Sequence, residues 1–553
     1  MPSTKPYKTP GVYVAELSSF PPSVVGVDTA VPVFIGYTQK AEVSGKPVQF
    51  KPVRITSLAD FQLYFGFADP PFYKLDHVLN PPPDGYDLRV WDPSAPNPGF
   101  KFYRLTSHGP SFNLYNSMQL FYANGGGNCY VVSCGLYGDV TEYADPVALT
   151  AALNAAGEQI GPTMVVIPDA LLLPPTAPET GKNAQPWRSA DYATLVQRTL
   201  KQCFDRQDRV AVLDVYGTQY LTQPPANAQT DRPTLDQLIE AFRGDVGSDY
   251  LSYGMAYFPF LYTSVVPAAG VTYASIDNTP ADADGAGPLQ QVLTWENINL
   301  NGDPADAKNT RAIAVQAYID AIPTSTTEAT SAGVPDVSLN DNLIAALPLM
   351  TDMKRIVLAK EEMLPPSPAM AGVMTRIDAS RGVWNAPANV TLTGVVRPSA
   401  PLNNDQQADL NMPVNGKAVD ALREFPGRGT VVWGARTLDG NSNDFRYIQV
   451  RRTMIYIEQS IKAALDPFVF APNTGQTWTT AVSMVSSFLT SLWSRGGLMG
   501  ATASEAFSVQ CGLGSTMTNQ DVLDGYMIVQ VVLQLIRPAE FIELTFKHKI
   551  GAA

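Results

Sequence analysis

Arg209-Val210-Ala211-Val212-Leu213-Asp214 is the stretch whose reading decides the fold. Four apolar residues between a charged start and a charged end are too few for a helix and read as a short strand. Two earlier stretches repeat the pattern: Asn128-Cys129-Tyr130-Val131-Val132 and Met164-Val165-Val166-Ile167-Pro168-Asp169. Between the last of these and 209, Leu195, Val196, Leu200, Cys203 and Phe204 recur at helical spacing. Downstream, Thr234 is placed to cap a helix carrying Leu235, Leu238, Ile239 and Phe242 and ending at Gly244, and 253–258 reads as another strand. Strands separated by helices of this length predict an α/β fold with a largely parallel sheet.

Outward from this centre the pattern loosens. Residues 265–310 and 323–341 are rich in Ala, Asp, Gly, Pro and Thr and read as exposed insertions. Leu364-Pro365-Pro366-Ser367-Pro368 reads as a hinge and domain boundary. Beyond it, Thr430-Val431-Val432-Trp433 predicts a strand. Tyr447, Val450, Met454, Ile457, Ile461 and Leu465 fall three or four apart, as on an amphipathic helix.

Both ends of the chain carry strands set off by prolines. Val12-Tyr13-Val14-Ala15-Glu16-Leu17 lies between Pro10-Gly11 and Pro21-Pro22. Residues 526–536 read as a buried strand, Arg537-Pro538 breaks it, and a second strand is expected over 540–550, where Ile542, Leu544 and Phe546 alternate with Glu543, Thr545 and Lys547. A strand without a local hairpin partner must find its hydrogen bonds elsewhere.

At 553 residues the chain has room for roughly three to four domains, or one domain with large insertions. Hydrophobic residues make up 45% and charged ones 16%, which fits a folded protein that hides surface against copies of itself. The net charge of −13 argues against a nucleic-acid backbone as partner, since such binders present a Lys/Arg-rich face. No apolar signal segment or membrane span is visible, so synthesis in the cytoplasm is expected. Cys129, Cys134, Cys203 and Cys511 are too few and too dispersed for a disulfide framework and read as buried free thiols.

Chemistry-bearing patterns are sparse. His77, His108 and His548 stand far apart and form no local metal pair, and no cofactor is implied. Asn124-Gly125-Gly126-Gly127-Asn128 runs from helix to strand, the reverse of a phosphate loop, and reads as a helix stop. Asp439-Gly440-Asn441-Ser442-Asn443-Asp444 lacks the turn glycine and the bidentate Glu of a calcium loop and reads as a polar loop, with Asp444 as candidate cap for the following helix. Asp169 and Asp214 end strands where α/β enzymes place catalytic groups, the best residue-level case for catalysis, but neither has a nucleophile or His beside it in sequence.

Several stretches resemble the tail sheath proteins of contractile injection systems. Thr9-Pro10-Gly11-Val12-Tyr13 with Phe34-Ile35-Gly36-Tyr37 is similar to that family's opening, and the similarity continues through Asn124-Gly125-Gly126, Ile167-Pro168-Asp169 and 209–214. After the hinge come Ala371-Gly372-Val373, Arg381-Gly382-Val383-Trp384-Asn385-Ala386-Pro387-Ala388-Asn389, Val432-Trp433-Gly434-Ala435-Arg436-Thr437, Tyr456-Ile457-Glu458-Gln459-Ser460-Ile461 and Pro538-Ala539-Glu540-Phe541-Ile542. Segments 40–110 and 265–350 carry no such motif and read as decorations.

The resemblance implies a structural subunit and no enzyme. Its domains would be an N-terminal linking arm (1–30), an outer α/β domain (31–364), an inner tube-surrounding domain (365–536) and a C-terminal linking strand (537–553). The implied partners are copies of the chain in stacked hexameric rings, paralogous sheath subunits where present, an inner tube, a baseplate and a terminal cap. Strand exchange would run through Val12, Tyr13, Val14, Glu16, Phe541, Ile542, Leu544 and Phe546. A baseplate component and an α/β enzyme using Asp169 and Asp214 are the other readings.

Overall fold

The computed structural model describes residues 24–79, 85–94, 98–176, 185–222, 232–280, 285–324 and 335–544. The expected strand at 12–17 therefore lies outside the described residues, as do Phe546 and His548. The chain divides into two compact units, Asp28–Ile455 with Arg537–Ala553, and Met1–Val27 with Tyr456–Ile536.

The larger unit is built on an eight-stranded sheet. In chain order its strands are β1 (Pro32–Thr38), β2 (Val53–Ile55), β3 (Cys129–Leu136), β4 (Met164–Val166), β5 (Val210–Asp214), β6 (Gly254–Phe258), β7 (Asp420–Phe425) and β8 (Gly429–Val432). In space they run β8-β7-β6-β5-β4-β1-β3-β2. Every pair from β3 to β7 is parallel, and only the outermost strands β2 and β8 are antiparallel. This is the parallel α/β sheet expected from the sequence. Every residue of β1, β4, β5 and β6 is buried, which is why these strands are continuous apolar runs without alternation.

Helices cover the sheet. They are α1 (Leu114–Ala123), α2 (Pro146–Glu158), α3 (Ala190–Arg206), α4 (Leu235–Asp245) and α5 (Ser367–Arg381), and Ile448 and Ile455 of α6 (Ile448–Leu465) join the same core. The Ser189 and Thr234 side chains cap α3 and α4, the latter in a reciprocal box with Gln237. α1 packs on β1 and α5, while α2 packs on β3 and α3. A Cβ at Gly372 would stand 2.5 Å from the Phe121 carbonyl, so a glycine there lets α5 lie against α1. Arg209, fully buried at the head of β5, donates to the Ala156 and Gln159 carbonyls at 2.7 and 2.8 Å, fastening the end of α2.

Two corrections to the sequence reading follow. The proline-rich stretch 364–368 is no hinge. Met363–Leu364 is a strand paired with Leu261–Thr263, and Pro366 and Pro368 stand at the start of α5, where a missing N–H costs nothing. The boundary between the units falls instead within α6. The segments near 40–110 and 265–350 meet in one lobe. Strands Tyr73–His77, Leu88–Asp92 and Gly99–Ser107 form an antiparallel sheet whose buried face shares a core with helices Pro288–Asn301, Thr310–Asp320, Val337–Ala346 and Pro348–Glu361. Leu105, Leu289, Leu293, Ile319, Leu343 and Met353 form the centre of this second core. Two segments separated by more than a hundred residues thus make one lobe.

In the smaller unit, helix Gly475–Ser494 buries Ala481, Met484, Val485, Leu489 and Leu492. Strands Phe507–Gln510 and Gln530–Leu533 form a two-stranded antiparallel ribbon. The Val27 N–H donates to Ser460 Oγ at 3.1 Å.

Candidate linking site

Asp420 opens β7 and is buried to 1% exposure. Its Oδ1 accepts the backbone N–H of Arg436 at 2.8 Å. The chain can pass this close because residue 434 is glycine, where a Cβ would stand 2.5 Å from the same oxygen. Arg436, itself 2% exposed, is thereby aimed at the C-terminal segment.

Its guanidinium forks onto Glu540. Nε donates to Oε1 at 3.0 Å and Nη2 to Oε2 at 2.6 Å, the bidentate geometry in which guanidinium and carboxylate bind most strongly. The remaining Nη1 donates to the Gly440 carbonyl at 3.0 Å. Asn411 Nδ2 reaches Oε1 at 2.6 Å and Tyr447 Oη reaches Oε2 at 3.0 Å, so each carboxylate oxygen accepts two hydrogen bonds. Burial pushes the Glu540 carboxyl up, but the bonds from Arg436 and Asn411 outweigh it and hold the group below its usual range. Asp420, by contrast, is driven well above the usual range by burial, with the Glu540 charge adding to the shift.

Just past this anchor the chain turns apolar and open. Phe541, Ile542 and Leu544 are 72%, 80% and 74% exposed, and 537–544 pairs with no strand among the described residues. Exposed apolar side chains in a row mark a surface waiting for a partner. In the smaller unit the ribbon Phe507–Gln510 with Gln530–Leu533 has no third strand among the described residues, which leaves backbone donors and acceptors on two edges. The buried strand expected over 526–536 is corrected here. Only Gln530–Leu533 is a strand, and it is half-exposed, because Gln530, Val532 and Gln534 fall on one open face.

The candidate catalytic aspartates serve the fold. Asp169 Oδ2 accepts the Tyr37 N–H at 2.8 Å and its Oδ1 the Asn113 N–H at 2.7 Å, joining β1 to the start of α1. Asp214 Oδ1 accepts the Ser367 N–H at 2.7 Å and Oδ2 its hydroxyl at 2.5 Å, pinning the start of α5. Burial pushes both carboxyls up to about 7. Among the described residues, no His, Cys or Lys is a hydrogen-bond partner of either. Asn124 ends α1 and pairs with both backbone groups of Thr393, donating to its carbonyl at 3.0 Å and accepting its N–H at 2.9 Å, so the triple glycine after it is a turn. Asp444 is not the expected cap: α6 begins four residues later, and the Asp444 N–H donates to Ser442 Oγ at 3.3 Å. Cys129, Cys134 and Cys203 are buried, and Cys511 is partly buried.

Sequence reading placed Phe541, Ile542 and Leu544 at the site. It did not single out Arg436, Asn411, Tyr447 or Glu540 as a set. The available signal was an unpaired basic residue in one quoted motif, 432–437, and an unpaired acidic residue in another, 538–542.

Comparison with known proteins gives one family throughout. Residues 441–549 match a model of the phage tail sheath C-terminal domain and 302–438 a model of the phage tail sheath central domain. The second match begins inside the stretch 265–350 that had shown no motif. A tail sheath protein of Burkholderia phage BcepMu is 31% identical over 148 residues, which span 26% of this chain and 31% of the phage protein. The chain thus matches about a third of that relative's length. The sheath of an extracellular contractile injection system, the PVC sheath complex in its contracted state, superposes with a TM-score of 0.55 at 25% identity over 99% of both chains. The helical sheath of the anti-feeding prophage shares the fold, with a TM-score of 0.53 at 24% identity over 98% of this chain and all of that one.

Proposed function

From the premise that this chain belongs to the tail sheath protein family, we infer that it is a structural subunit of a contractile sheath. Copies polymerise around an inner tube in an extended, metastable lattice and later repack into a shorter, wider one that drives the tube forward. The observation that carries this reading is the likeness to the PVC sheath over nearly the whole of both chains, with the family's C-terminal model running through the open apolar segment after Glu540.

Strand addition is the linking chemistry. Main-chain hydrogen bonds supply affinity, and alternate side chains supply register. Glu540 roots the arm on its own subunit, Phe541, Ile542, Leu544 and Phe546 extend beyond it, and the ribbon Phe507–Gln510 with Gln530–Leu533 of a neighbouring copy receives it. Val12, Tyr13, Val14 and Glu16 make the corresponding link from the N-terminus. The inner, tube-surrounding domain is drawn from the N-terminal segment and residues 365–536. Stacked hexameric rings, a baseplate, a terminal cap and any paralogous sheath subunits complete the partners, in a phage-tail-like particle released from the cell. Repacking of many identical interfaces sums a modest gain per subunit, so no catalytic centre and no nucleotide is called for. No helix among the described residues is long and apolar enough to cross a membrane.

Electron microscopy of the purified chain tests the proposal. Long tubes of uniform repeat are expected, and their loss on deletion of 541–553. Single terminal rings from the intact chain would point to a baseplate component instead.

A further inference from the structure

Arg436 is one cation set between two carboxyls. Its guanidinium forks onto Glu540, while its own backbone N–H is taken by Asp420 Oδ1 at 2.8 Å. The two acids are unequally served. The Glu540 oxygens accept four hydrogen bonds, from Arg436, Asn411 and Tyr447. Asp420 accepts that single N–H, and its Oδ2 is buried with no hydrogen-bond partner among the described residues. An ionised Asp420 would hold charge on an oxygen that nothing solvates, so with Glu540 in place the neutral acid is favoured. Its titration runs the same way: burial drives the carboxyl well above its ordinary range, against the N–H and charge of Arg436, and the Glu540 charge adds to the rise.

Taking Glu540 away reverses the balance. Glu540, its side chain 20% exposed, is the member that can leave. The Arg436 guanidinium, 2% exposed, would keep only the Gly440 carbonyl on Nη1, an uncompensated charge inside the fold. Asp420 already lies within the field of that charge, and ionising it restores neutrality. The other groups around the pair do not compete. Tyr257, opposite Asp420 on β6, is held neutral by burial, and burial raises the Tyr447 phenol beside Glu540 as well. Arg446, over the Tyr447 ring at 6.0 Å, is a fixed positive charge in either state.

We propose that Glu540 and Asp420 hold the Arg436 charge in turn, so that seating the C-terminal segment puts a proton on Asp420 and lifting it releases that proton to solvent. On the reading of Glu540 as the root of the linking arm, on which this role rests, the grip of the root depends on pH. Seating takes up a proton, so the grip weakens as the pH rises from the point where a freed Asp420 ionises to the point where the seated one does. In acid it fails only as Glu540 itself takes up a proton, because its bonds from Arg436 and Asn411 hold its carboxyl below the ordinary range.

Infrared difference spectra of the full, unassembled chain at pH 7.5 test it, with Glu540→Gln removing the arm's charge and keeping its shape. Asp420→Asn, which mimics the neutral acid and should fold, is expected to delete one protonated-carboxyl band from the wild type and none from Glu540→Gln, where Asp420 is already ionised. A band deleted from both backgrounds, or from neither, would overturn the proposal. A glutamyl endopeptidase, which needs the Glu540 side chain free to cut before Phe541, reads the root itself. From pH 6 to 7.8 the cleavage rate of wild type relative to Asp420→Asn should rise at least about threefold; a constant ratio would overturn the exchange. Both readouts use single chains, so their failure leaves the linking reading standing, whereas tubes built without the arm would overturn that reading and leave the exchange.

Discussion

Arg452 and Asp378 face each other at 3.0 and 2.6 Å with both side chains 4% exposed, and Arg452 also donates to the Thr29 carbonyl at 3.0 Å. Removing one member strands the other charge in the interior. Asp378→Ala should therefore destabilise the larger unit by about 3–5 kcal/mol, read from urea unfolding. Asp169 and Asp214 behave differently, because what they hold are mainly backbone N–H groups. Asp169→Asn turns one acceptor into a donor facing an N–H and should cost about 1–3 kcal/mol.

Their titration sets a pH dependence as well. With carboxyls raised to about 7 from an ordinary 3.8, the folded chain holds protons between about pH 4 and 7 that the unfolded chain releases. The contribution of these groups is whole below about 4 and is lost as the pH rises to about 7. Relative to Asp214→Asn, the wild type should lose urea resistance steadily from pH 4.5 to 7.5; a flat difference would mean that Asp214 is ionised throughout. Both positions were legible in the sequence as strand-end acids. Their partners Tyr37, Asn113 and Ser367 were not, since each lies 56 to 153 residues away and no spacing rule connects them.

At the scale of elements, the strands of the sheet were readable because burial on both faces writes itself as a run of Val, Ile, Leu and Ala. The small lobe was not. Its strand Tyr73–His77 buries only Tyr73, and helix Thr310–Asp320 dilutes its buried Ala312, Val315 and Ile319 with other alanines, so each segment alone looks polar and irregular. The prolines at 365–368 misled for a related reason. A proline marks where an N–H is not needed, which is as true of a helix start as of a hinge. The root of the C-terminal arm joins Arg436 to a carboxylate 104 residues away, again beyond any local pattern. Arg436→Lys keeps the charge but loses the fork. It should leave the sheet folded while making the segment after 536 more sensitive to limited proteolysis. At the receiving end, Val531→Pro removes an N–H that faces away from Phe507–Gln510 and should suppress tubes while sparing the monomer.

For the whole molecule, the proposed linkage has each of the two units contribute one half. The larger unit anchors the C-terminal segment through Glu540, and the smaller unit carries the open ribbon. Neither half is satisfied within one copy among the described residues, which is the property a polymer-forming subunit requires. Replacing Phe541, Ile542 and Leu544 together with serine removes the side chains that fix register and leaves Glu540 in place. It should abolish tubes in electron micrographs without lowering the melting temperature of the monomer. The most direct measurement is a cryo-electron microscopy reconstruction of tubes assembled from the intact chain. Density for 541–546 of one copy is expected as an added strand on the ribbon Phe507–Gln510 with Gln530–Leu533 of its neighbour; tubes in which that segment folds back on its own subunit, with the ribbon edges left open, would contradict the linkage.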